Sequence, residues 1–178
     1  MTHIIPPLIY VICIIVNHAF VKTISLTYKK MPFLRIAPIC NGKIYVAPRS
    51  YQGEEPGKLD IPMEDYIYAC KTDTDKYAKE VENKYSNHIT GQPEPRFSLK
   101  HLVKETNGVK KTIMLYILPL NDEEQIHFTG GKFVTPEEIE MNSAQYSSFL
   151  KEEIDHLNIV TQMWEAVSYT HLRAHETL

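Results

Sequence analysis

The chain has no closely spaced pair of cysteines. Its three, Cys13, Cys40 and Cys70, are odd in number and show no C-x-x-C spacing. A disulfide framework and a cysteine zinc site are therefore not expected, whereas buried free thiols in a reducing compartment are. An excess of basic charge is also lacking. The formal net charge is -3; the first thirty residues hold Lys22, Lys29 and Lys30 with no acid, and Arg173 cancels Glu176, so Met31 to Ala166 stands at -6. A nucleic-acid-binding face needs clustered Lys and Arg to displace counterions, so no nucleic-acid partner is expected. A nucleotide, which a few local donors can hold, is not excluded. There is no apolar run of the ~20 residues that a membrane-spanning helix requires. Internal repeats and low-complexity segments are missing as well. What remains, 43% hydrophobic and 23% charged, is the composition of an ordinary globular chain.

The two ends differ from the middle. Leu8 to Val16 is apolar, but Pro6 and Pro7 precede it and Asn17 and His18 follow it. With no basic region before it and no A-x-A site after it, it does not read as a signal peptide. Residues 1–30 leave three readings open: the end of a membrane helix, a weak anchor, or sequence upstream of a start at Met31. The expected location is the cytoplasm, with membrane association only through residues 1–30. At the other end, Val167 to Thr177 reads VSYTHLRAHET. This resembles, codon by codon, the translation of a transposase sequencing adapter. Residues 167–178 are therefore set aside, and His171 and His175 are not counted as metal ligands despite their i, i+4 spacing. The expectation is one domain over residues 31–166, in a metagenomic-type fragment whose natural chain continues past Ala166.

Within that domain, Phe33–Ile39 reads as a strand interrupted by Pro38, with Asn41-Gly42 as hairpin turn and Lys43–Ala47 as the second arm. Ser50–Lys58 is a loop, and Leu59–Pro62 a short strand or extended segment. Thr72–Ser86 predicts a helix capped by Asp73 or Thr74, with Tyr77, Ala78, Val81 and Tyr85 on the core face and Lys79, Glu80, Glu82 and Lys84 around the rest. Arg96–Lys104 alternates as a half-buried strand that includes His101; Asn107-Gly108 is a second hairpin turn, and Lys111–Leu118 a central strand. Gln125–Phe128, Gly130-Gly131 and Lys132–Val134 predict a third hairpin. Thr135-Pro136-Glu137-Glu138 has the form of a capped helix start. From Ser143 a last amphipathic helix should bury Tyr146, Phe149, Leu150, Ile154, Leu157 and Trp164, with Glu152, Glu153 and Asp155 on its solvated side.

This order is α+β. With the segments GKIYVAPRS, KLDIP, YAKEVENKYS and GGKFVTPEEI it resembles the Nudix fold, a mixed sheet flanked by helices, over most of Met31 to Ala166. The resemblance implies a motif helix whose glutamates bind divalent metal for water attack on a diphosphate. Laid on this helix, the motif's arginine falls on Lys79 and its first glutamate on Glu80, with Val81 and Glu82 following. The two metal-binding glutamates fall on Asn83 and Lys84, and the glycine on Ser86. The motif is thus degenerate. If the domain is active, magnesium is the implied cofactor, with Glu80 and Glu82 as its candidate ligands. Similar domains are appended to cation/proton antiporters, which makes a membrane transporter a candidate partner. The leading expectation is a non-catalytic module binding a nucleotide or related diphosphate through Arg49, Lys58 and Arg96. The alternatives are an active diphosphate hydrolase, using acids such as Glu123, Glu124 or Glu137, and an interaction domain without a small ligand.

Overall fold

The computed structural model describes residues 33–51, 55–66, 74–104 and 110–176. Residues 1–30, the Asn107-Gly108 turn and the proposed cap Asp73 lie outside them. Strand β1 (Phe33–Cys40) turns through Asn41 and Gly42 into β2 (Lys43–Pro48). Both turn residues have positive φ, 49° and 72°, the geometry of the tight turn that Asn-Gly favours. The interruption expected at Pro38 does not occur. On one edge of β1, Phe33–Ile36 pair with β4 (Met63–Tyr66) and Ile39–Cys40 pair with β2. Pro38 sits in the gap between these two partners, where its missing N–H costs no ladder bond on that side.

The other edge of β1 pairs in parallel with β6 (Lys110–Pro119), which also pairs antiparallel with β5 (Arg96–Lys104). The sheet is mixed, in the order β3-β2-β1-β6-β5, with β3 (Leu59–Asp60) on β2. Strand β7 (Lys132–Val134) also pairs with β2, Tyr45 facing Phe133. The third hairpin therefore does not form. Ile126 bridges to Ile89 instead, and Asp122 caps a short turn over Glu123–Gln125.

Helix α1 (Thr74–Lys84) covers one face of the sheet. Ala78 and Val81 pack with Leu34, Ile36, Tyr116 and Leu118, and Tyr77 and Tyr85 join them, as the helical spacing predicts. The other face is covered by α2 (Pro136–Met141) and α3 (Ser148–Glu176). Ile139, Leu150, Ile154 and Leu157 close over Ala37, Ile39, Ile44 and Leu115; burial of each such side chain contributes about 1.5–3 kcal/mol. The architecture is α+β, a seven-stranded mixed sheet between helices. Thr135 opens α2 with a capping box: its hydroxyl accepts from Glu138 N at 3.2 Å, and Thr135 N donates to Glu138 Oε2 at 3.3 Å. Glu55, in the loop before β3, accepts from both Ser148 N (2.7 Å) and Ser148 Oγ (2.9 Å) at the start of α3, where a carboxylate suits the helix dipole. Cys40 is a buried free thiol. Among the described residues, no helix is long and apolar enough to cross a membrane.

Candidate functional site

A cleft of about 380 Å³ opens where the end of β2, the start of β4, the exit from α1 and the loop before β7 meet; Pro48, Arg49, Ser50, Glu64, Tyr85, His88, Phe128 and Thr129 line it. One side is aromatic. The His88 ring stacks on Phe128 with centroids 4.1 Å apart and planes 12° apart. Tyr45 and Tyr85 flank Phe128 at 6.1 and 5.9 Å, and Phe128 N donates to Tyr45 Oη at 2.8 Å. His88 Nδ1 lies 2.9 Å from the carbonyl of His127. A carbonyl only accepts, so Nδ1 carries the hydrogen and Nε2 is the ring nitrogen left for a ligand.

The opposite side is ionic. Arg49 leaves β2 pointing at Asp60 and Glu64, bonding Asp60 Oδ2 through Nη1 and Glu64 Oε1 through Nη2 at 3.3 Å. Behind it lies Arg35, fully buried in the middle of β1. Arg35 donates from Nη2 to Asp60 Oδ1 at 2.6 Å, from Nη1 to Glu64 Oε2 at 2.9 Å and from Nε to Glu153 Oε2 at 3.2 Å. Both guanidinium groups lie over the ring of Phe149, 5.5 Å (Arg35) and 5.3 Å (Arg49) from its centroid. Burial alone works against the Arg35 charge, but Asp60, Glu153 and Glu64 outweigh it and raise its pKa above the ordinary value. Burial likewise opposes ionisation of Asp60; Arg35 and Arg49 overcome it and hold that carboxyl below its usual range.

Glu153 corrects the expectation of a solvated side for α3. Glu152 and Asp155 are exposed, but Glu153 is 0% exposed and reaches both Arg35 and His101, whose Nε2 lies 3.1 Å from Oε1. Neither Arg35 nor Glu153 stands out as a candidate from local pattern, although one signal was available. Phe33, Arg35, Ala37 and Ile39 share a strand face, and a cation in an otherwise apolar row has to find acids inside.

Of the candidate phosphate contacts, Arg49 alone lines the cleft. Lys58 donates to the carbonyl of Ala144, and Arg96 lies 5.0 Å over the ring of Trp164 at the far edge of the sheet. Glu80 is exposed. Glu82 is buried rather than solvated and forms an ion pair with Lys79, whose Nζ lies 2.7 Å from its Oε2. Lys84 pairs with Asp65 at 2.6 Å, a hydrogen bond that pushes its ammonium pKa up. A magnesium ion asks for converging carboxylate oxygens. Glu80 and Glu82 do not converge, Lys84 stands where the motif has a ligand, and among the described residues no three His, Cys, Asp or Glu side chains could hold a metal. Among the described residues this helix therefore does not fit the metal that the resemblance implies.

No family model matches the chain, and no curated protein sequence matches it either. Solved structures do. A Nudix hydrolase from Nitrosomonas europaea is 12% identical at a TM-score of 0.52, over 74% of this chain and 90% of that one. A protein from Deinococcus radiodurans is 14% identical at a TM-score of 0.52, over 73% and 84%. At such identities the likeness concerns the fold, which is Nudix-like.

Proposed function

Starting from a Nudix-like fold whose motif positions hold Asn83 and Lys84, we propose a non-catalytic module that binds a nucleotide or related diphosphate in the cleft at the end of α1. The observation that carries this reading is the pairing of two chemistries across one cavity. The His88–Phe128 stack is a platform for a flat heterocycle. Arg49, held by Asp60 and Glu64, is a pre-oriented guanidinium for an oxyanion, and His88 Nε2 adds a second polar contact. With Lys84 engaged by Asp65 and Glu82 buried beside Lys79, the helix that would carry the metal has no set of acids to do so.

The test is thermal unfolding of the chain with ADP, with and without magnesium. A ligand at a hundred times its dissociation constant adds ~2.7 kcal/mol, on the order of 5–10 °C for a domain of this size. A shift that persists in EDTA and disappears in Arg49→Ala is the expected result. Magnesium-dependent turnover of ADP, or of a dinucleotide, overturns the non-catalytic part. A flat response across nucleotides overturns the binding part and favours an interaction domain.

A further inference from the structure

The ionic wall of the cleft has an uneven charge count. Among the described residues of this cluster, with imidazoles taken as neutral, Arg35 and Arg49 bring two positive charges, and Asp60, Glu64 and Glu153 bring three negative ones. The nearby Lys84 is matched by Asp65. Asp60 and Glu64 come from β3 and β4 and bind both arginines, so they balance the pair. The surplus acid arrives from the opposite layer, on α3. Glu153 holds the Nε side of Arg35, and Phe149, one turn earlier on the same helix, lies under both guanidinium groups. Because Arg35, Asp60 and Glu153 are at most 1% exposed, salt screens their attraction for one another weakly, but it does screen their field on a ligand in the open cleft. Their field emerges where Arg49 and Glu64 line the cavity.

We propose that Glu153 is the residue that sets this cleft's selectivity for ligand charge: as the third carboxylate on a two-arginine cluster, it leaves the wall one negative charge in excess and penalises each further negative charge on the ligand. This rests on the nucleotide-binding reading above. It also gives α3 a role in the site without touching the ligand. Arg49 supplies the oxyanion contact, and Glu153, through Arg35 and the shared Asp60 and Glu64, sets how much of its charge is already neutralised.

The experiment measures dissociation constants of AMP, ADP and ATP, in EDTA and at a pH above the ordinary histidine range, for the wild type, Glu153→Gln, Glu153→Asp and Arg49→Ala. Glu153→Gln keeps the volume and removes the charge. Its gain over wild type is expected to grow along the series, by about two- to threefold for each added phosphate. Glu153→Asp, which restores the charge, is expected to return the wild-type ranking. An equal shift for all three ligands makes Glu153 merely structural and overturns the assignment. A salt series on the wild type asks the same question without a substitution. Screening should narrow the preference for AMP over ATP, and a preference that widens with salt overturns the proposal even if Glu153→Gln fails to fold. The two readings fail separately. If Arg49→Ala leaves all three constants unchanged, the ligand is bound elsewhere and the reading of the cleft falls. If it abolishes binding while Glu153→Gln shifts the series uniformly, only the charge assignment falls. No binding of any probe to the wild type overturns both.

Discussion

Helices α1 and α3 cover opposite faces of one sheet and carry their charges in opposite ways. On α1, Glu80 faces solvent, Lys84 pairs with Asp65 at the surface, and the buried Glu82 meets the partly exposed Lys79. On α3, whose sequence carries no motif, Glu153 enters the interior and completes a five-member cluster with Arg35, Arg49, Asp60 and Glu64. The ion pairs of α1 are the more exposed and the weaker, and those of Glu153 on α3 are buried and the stronger. A charge is worth little where water competes for it and a great deal where its partners are its only solvation. The position of an acid relative to the sheet therefore says more about its role than its place in a motif.

The contrast breaks most visibly at Arg35. Arg35→Ala would open a cavity, leave Asp60 and Glu64 with Arg49 as their remaining cation and take Glu153's guanidinium away, and should cost about 3–5 kcal/mol, read as a fall in the urea midpoint. A loss under about 1 kcal/mol would mean the cluster rearranges freely, and the two helices would no longer differ in kind. Acid titration sharpens the comparison at an intermediate level. The carboxyl of Asp60 titrates below its unfolded value, so its contribution is present above that value and lost as pH falls through the lowered folded one. Stability should hold through neutral pH and drop below about pH 4, and Asp60→Asn should remove part of that dependence. If the acid limb is identical in the variant, Asp60 is not the group responsible. The smallest effect belongs to α1. Lys84→Ala, at an exposed pair, should change stability by only about 0.2–1 kcal/mol, and less at high salt.

Much of the fold was legible because its signals are local. The Asn41-Gly42 turn, the β5 limits at Arg96 and Lys104, the Thr135 capping box and the core face of α1 each follow from residues within a few positions of one another. The third hairpin was misread because the partners of Phe133 and Ile126, namely Tyr45 and Ile89, are distant in the chain and outcompete the local turn. Strand β4 was missed because it is short and carries Glu64 and Asp65 in the middle, which alternation alone scores as loop. The site suffered most. Arg49 was a candidate from its loop, but Arg35 and Glu153 are 118 positions apart. No spacing rule joins two such residues, and a glutamate next to Glu152 and Asp155 looks solvated until the helix is rotated onto its sheet.

The parallel contact between β1 and β6 has a consequence in time. Phe33 pairs with Ile113 and Ile39 with Pro119, 80 positions later in each case. The β1–β2 turn can close in microseconds, but the sheet's central seam must wait for a large loop to close, which moves folding toward the slow, millisecond-to-second end for small domains. During synthesis the edge of β1 that β6 will cover stays open until Pro119 has left the ribosome. Arg35, in the middle of that strand, meets Glu153 only after α3 follows. Until then it is a charge in an apolar row without its last counterion, which disfavours premature burial and aggregation of β1.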